Sequence, residues 1–169
     1  MTNKEWLLCA IDMAGYDGVS LRQLEVIMFL IYHDSPIYLR GEGSKDTLPE
    51  LNFRPGLLGP ISYDLRDMLR ILVDKKLIQT KMLYEGDTVL LYTMLYFVTN
   101  AGHHRALGIR GRYLARTFTV RTLEITFPIT WLTKFRIVLK EVQSQQFLKV
   151  IKALSHKYPN FASPLFSVN

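Results

Sequence analysis

The most restrictive stretch of the chain is residues 59 to 98, where a strongly patterned helix runs straight into a charge-poor strand pattern. Gly59-Pro60-Ile61 leads to Ser62, a good N-cap, and Leu65, Met68, Leu69, Leu72 and Val73 then recur at helical spacing. Asp64 falls in the first turn and Lys75-Lys76 in the last, the arrangement that the helix dipole favours. Leu77-Ile78 begins a strand, Tyr84-Glu85-Gly86-Asp87 reads as its reversal, and Thr88 to Val98 is rich in Val, Leu, Tyr, Thr and Phe without one charge. A helix that feeds a hairpin makes the chain α+β.

The remaining pattern is mostly helical. Trp6, Leu7, Ala10, Met13 and Ala14 mark a first short helix that Gly15-Tyr16-Asp17-Gly18 stops. Ser20 caps a second, with Leu21, Leu24, Ile27, Met28 and Ile31 on one face until His33-Asp34-Ser35-Pro36. Residues 35 to 59 hold four of the glycines and three of the prolines, and read as a connection with at most a short extended segment. Past the hairpin, Thr99 or Asn100 caps a short helix to Leu107, and the β-branched stretch from Thr117 to Phe127 predicts a strand ended by Pro128. Trp131 to Val142, and Phe147 to Leu154 before Pro159, predict two closing helices or one bent near Gln143. At 169 residues this is one compact domain: a region 1–99, and an extension 100–169 packed on it.

Helix, helix, connection, helix, hairpin is the order of a winged helix-turn-helix, in which the third helix reads a groove and the hairpin is the wing. Specific residues add to that order. VSLRQLEVIMFLI, FRPGLLGPISYDLRDMLRILVDKKLIQT and KYPNFASPLF resemble archaeal winged-helix proteins related to the YwgA and Panacea (SocA-like) group. The match is carried by Phe53, Gly59, Pro60, Ser62, Leu65, Leu69, Leu72, Leu77, Ile78, Tyr158 and Pro159. Lys76 stands where that group often has Gly, and Asn160 where an acid is common. The resemblance implies the winged-helix fold with a C-terminal helical extension; its members include regulators and antitoxin-type proteins.

Charge divides sharply along the chain. Residues 1–99 carry 10 Lys and Arg against 13 Asp and Glu, net −3, whereas residues 100–169 carry 11 against 2, net +9. Either the basic part meets an external polyanion or acidic protein, or the two parts complement each other across an internal interface. A single cysteine, Cys9, excludes an internal disulfide framework, and Glu5 and Asp12 inside the first apolar stretch argue against a signal peptide or membrane span. These features fit a cytoplasmic protein without a membrane partner.

No catalytic grouping emerges. Cys9 has no basic neighbour in sequence, and of His33, His103, His104 and His156 only the adjacent 103–104 pair clusters, with side chains about 100° apart on a helix and so ill placed to chelate. RGEGS and NAGHHRALGIRG lack the preceding strand and the Lys-Ser/Thr of a phosphate loop. The chain therefore reads as a non-enzyme without metal or cofactor.

Two binding functions remain. The first is nucleic-acid binding, as a regulator or a nucleoprotein subunit. The third helix would present Arg66 and Arg70, beside Tyr63 and Asp67, but residues 62–76 hold three acids against four bases and the wing tip adds Glu85 and Asp87. Residues 102–121 are the stronger DNA- or RNA-binding candidate: Arg105, Arg110, Arg112, Arg116 and Arg121 with no acid, Tyr113 and Phe118 among them, and Gly108 and Gly111 allowing close approach. The second function is a protein-interaction adapter or antitoxin-like subunit that binds an acidic protein surface, with the hydrophobic tail Phe161, Leu165, Phe166 and Val168 either available to a partner or docked on its own core.

Overall fold

The computed structural model describes residues 2–34, 51–56, 59–84, 92–119, 136–140 and 147–161. Helix α1 (Asn3–Ala14) opens on Thr2, whose hydroxyl accepts from the Glu5 amide while the Glu5 carboxylate accepts from the Thr2 amide, a capping box. Residues Trp6 to Asp12 and Ala14 are all buried, so α1 is enclosed on every side and forms the centre of the core. A 3-10 turn over Gly15–Asp17 leads to β1 (Val19–Ser20) and then α2 (Leu21–Asp34). Ser20 and Gln23 exchange hydrogen bonds at the start of α2, the cap expected at Ser20.

The connection before the third helix contains more order than its glycines and prolines suggest. Strands β2 (Phe53–Gly56) and β3 (Gly59–Ser62) pair antiparallel, Phe53 opposite Ser62 and Gly56 opposite Gly59. Helix α3 (Tyr63–Asp74) begins where expected, with the Ser62 hydroxyl accepting from the Leu65 amide. Its apolar face, Leu65, Met68, Leu69 and Leu72, is buried. Complete removal of a leucine from water is worth roughly 1.5–3 kcal/mol, so this face holds α3 against α1 more firmly than the cap does.

Strands β4 (Ile78–Tyr84) and β5 (Tyr92–Val98) form the hairpin, Ile78 opposite Val98 and Tyr84 opposite Tyr92, and β1 pairs on the other side of β5. The sheet order is β1-β5-β4, all antiparallel. Residues 85–91, the expected reversal, lie outside the described residues.

Helix α4 (Asn100–Thr119) departs from expectation in length. Thr99 caps it by accepting from the Gly102 amide, but the helix continues past Leu107 for three more turns. Thr117 to Thr119 are helical and not the start of a strand; residues 120–127 lie outside the described residues. Residues 136–140 form a helical segment, α5, inside the helix expected over 131–142, whose other residues are not described. Helix α6 (Phe147–Lys157) ends just before Pro159, as its pattern predicts, and a 3-10 turn follows at Pro159–Phe161. The chain is thus α+β and mostly helical. No helix among the described residues is long and apolar enough to cross a membrane.

Candidate nucleic-acid interface

The basic segment is the outer wall of the core. α4 packs along α1 with Ala106 and Ile109 fully buried, and the Cys9 thiol points at the Ala106 carbonyl, 3.9 Å away. Burial, the largest influence, pushes the Cys9 thiol up to about 12; Arg110 pulls it down slightly, and Asp12 and Glu5 oppose that pull. Cys9 is a packed core residue.

Two arginines of the segment meet acids on α1, Arg110 at the interior and Arg112 at the rim. Asp12, with its side chain 2% exposed, accepts from the Arg110 guanidinium on one oxygen and lies 2.6 Å from His103 Nδ1 on the other. Arg110 is itself only a quarter exposed. It belongs to the α1–α4 joint, and so does His103. Arg112 reaches Glu5 at 3.4 Å but stays two-thirds exposed, a rim contact of little energy. The internal complementation that the charge division suggested is therefore present, and it engages two of the arginines.

Up to Arg112, the outer side of α4 is open to solvent. His104, Arg105, Leu107, Gly108, Gly111 and Arg112 are all exposed on α4. Arg105 and Arg112 are seven residues apart, about 20° short of two full turns, so they stand almost directly above one another some 10 Å apart along the axis. The backbone position of Arg116 continues the same line one turn further. A Cβ at Gly108 or Gly111 would meet nothing within 4 Å, so this face is open. Tyr113 lies one residue past Arg112 on the same helix; Arg121 lies outside the described residues.

The outer face of α3 is nearly neutral. Arg70 pairs loosely with Asp67 at 3.9 Å, both about 70% exposed. Arg66 turns back across Tyr63, its guanidinium 5.6 Å from the ring, toward Glu25 at 3.4 Å. Glu25 was not singled out in the sequence, yet it is a fully buried carboxylate that accepts from Arg22 at 2.9 Å and from the Ser62 amide at 3.2 Å. It ties α2 to the start of α3. Burial raises the pKa of Tyr96 nearby on β5, with Arg66 lowering it and Glu25 raising it in turn. A sequence signal for both buried acids exists: Asp12 follows Leu8 and Cys9 by four and three residues, and Glu25 precedes Met28 and Phe29 by three and four, so each carboxylate shares a helix face with core residues.

At the far side, Phe29 of α2 collects the rings of His33, Phe53, Tyr158 and Phe161 within 4.2–5.3 Å. Phe161, the first residue of the hydrophobic tail, thus docks on its own core; Leu165, Phe166 and Val168 lie outside the described residues. Among the described residues no group of His, Cys, Asp and Glu is arranged to hold a metal ion. No family model, curated protein or solved structure matches the chain.

Proposed function

We propose that this chain is a non-enzymatic winged-helix protein that binds nucleic acid through the phosphate backbone, on the outer face of α4. The observation that carries it is the line of Arg105 and Arg112 on an exposed, carboxylate-free helix, with the open Gly108 between them. Guanidinium groups in a row suit successive phosphates, and a bare glycine lets the backbone of a strand come close. Arg110 is better read as structural, because its guanidinium is engaged by Asp12.

The winged-helix part of the proposal rests on the order of elements and on the β1-β5-β4 sheet, in which the hairpin after α3 would be the wing. Lys76 adds to it: it has φ 54° in the turn after α3, a left-handed conformation that glycine adopts most easily, and this is the position at which the resembling proteins often have Gly. The neutral face of α3 leaves it a lesser role in affinity.

The test is fluorescence anisotropy of the full chain with single-stranded and duplex oligonucleotides across salt. Affinity should fall steeply with salt, and Arg105, Arg112 and Arg116 changed together to Gln should abolish it, whereas Arg66→Gln and Arg70→Gln together should cost little. The reverse ranking would refute the α4 reading.

A second reading, a protein-interaction adapter, is favoured by the partly exposed Met82, Leu83 and Met94 on the hairpin. A salt-insensitive complex with a protein, lost on Met82→Asp, together with no binding to any oligonucleotide, would select it.

A further inference from the structure

At one end of the α4 line lies a cleft of about 400 Å³, walled by the first turn of α1, the end of α3 and α4. Three cations from these three elements line it: Lys4, Lys75 and Arg105. None has an ion-pair partner within reach among the described residues. Its floor is apolar, with Leu8 and Leu72. One acid, Glu5, also lines it, but that carboxylate is engaged on both oxygens, by the Thr2 amide at 2.8 Å and by Arg112 at 3.4 Å. Lys4 also borders a neighbouring cleft that contains Asp64 and Asp67, neither at ion-pair distance.

Three cations from separate elements against the one Glu5 carboxylate, which Arg112 also engages, leave the concavity net positive, so the cleft is best matched by a compact anion of more than one charge. A phosphate monoester fits, since near neutral pH it carries between one and a half and two charges and three acceptor oxygens, whereas a backbone diester carries one. Arg105 belongs to both the cleft and the α4 line.

We propose that this cleft binds the terminal phosphate of a nucleic-acid strand whose backbone continues along α4, which makes the protein a reader of phosphorylated ends. The inference rests on the nucleic-acid reading of α4. The strand end sets the register: the terminal monoester sits among Lys4, Lys75 and Arg105, and the following diesters meet Arg105 and Arg112 in order.

The experiment compares one oligonucleotide sequence in three forms, 5′-phosphorylated, 3′-phosphorylated and with hydroxyls at both ends, by anisotropy with the full-length chain. One phosphorylated end should bind about tenfold more tightly than the hydroxyl form, and Lys4→Gln with Lys75→Gln should reduce that ratio to about one. Arg112→Gln should weaken all three forms alike and leave the ratio standing. Equal affinity of all three forms for the unmodified chain overturns the end-reading proposal while α4 binding stands. No binding of any form overturns both. A titration with inorganic phosphate, followed by amide NMR, provides the strand-free arm: shifts confined to the first turn of α1, the end of α3 and the start of α4 support the site, and their absence at tens of millimolar opposes it.

Discussion

Asp12 is the residue on which the joint between the two charge halves depends, because it is the one nearly inaccessible carboxylate on α1 and two α4 side chains converge on it. Its replacement by Ala leaves Arg110 without a counter-charge in a position only a quarter exposed. Removal of one partner of a buried pair costs about 3–5 kcal/mol, and the partial exposure of Arg110 sets the expected loss near the lower end, about 3 kcal/mol. Arg112→Ala, at the exposed rim, should cost less than about 1 kcal/mol. Urea denaturation of the two variants checks the ranking, and equal losses would mean that Asp12 does not anchor α4. The same joint buries Cys9. Because burial holds the thiol up to about 12, above its ordinary value of 9.0, the folded chain keeps the proton that the unfolded chain gives up, and stability falls as pH rises from about 9 toward about 12. At pH 8 a disulfide reagent should therefore label Cys9 only as fast as the chain opens; labelling at the rate of a small free thiol would contradict the packing. The single cysteine in an apolar helix was legible as a core thiol. The roles of Asp12 and Glu25 were not, because a lone acid in a helix does not announce its partner when that partner is 41 or 98 residues away.

Among the elements, α3 is legible at its start and along its buried face because the local signals agree: cap, periodic apolar face and first-turn acid; the lysines expected in its last turn fall just past its end, Lys75 at the C-cap and Lys76 in the turn beyond. α4 is legible only at its cap. The sequence pattern ends the helix at Leu107 and reads Thr117 to Thr119 as strand, yet burial of Ala106 and Ile109 against α1 favours a continuous helix, and tertiary packing overrides the propensity of single residues. The glycines of α4 are consequently of two kinds. A Cβ at Gly102 would fall 1.9 Å from the Leu77 carbonyl and 2.8 Å from Val98, so Gly102→Ala should force α4 off the hairpin and destabilise the chain by about 3 kcal/mol or more. At Gly108 and Gly111 the Cβ is unopposed, and alanine should stabilise the helix by about 1 kcal/mol each. If the bare backbone of α4 admits a strand, that gain in thermal stability comes with weaker oligonucleotide binding. A Gly108→Ala, Gly111→Ala chain that is both more stable and unaltered in affinity would show that the glycines have no part in an interface.

At the scale of the molecule, the charge division was legible in the sequence and its use was not. Net −3 against +9 allows internal neutralisation or an external polyanion, and the structure contains a measure of the first: Asp12 and Glu5 of the acidic part meet Arg110 and Arg112 of the basic part. Among the described residues these two acids engage two of the arginines, and Arg105 on the exposed line of α4 has no ion-pair partner. Glu5→Gln separates the two uses. Gln still accepts the Thr2 amide in the capping box, so stability should change by no more than about 0.5 kcal/mol, while net charge rises from +6 to +7 and Arg112 loses its neighbour. A unit charge removed about 8 Å from a phosphate in high dielectric is worth about 0.5 kcal/mol, roughly a twofold gain in affinity. Such a gain should appear at 50 mM salt and fade by 0.5 M, where screening shortens the reach of each charge to a few ångströms. If the α4 arginines served only the interior, Glu5→Gln would alter the denaturation midpoint slightly and leave oligonucleotide affinity unchanged at every salt concentration.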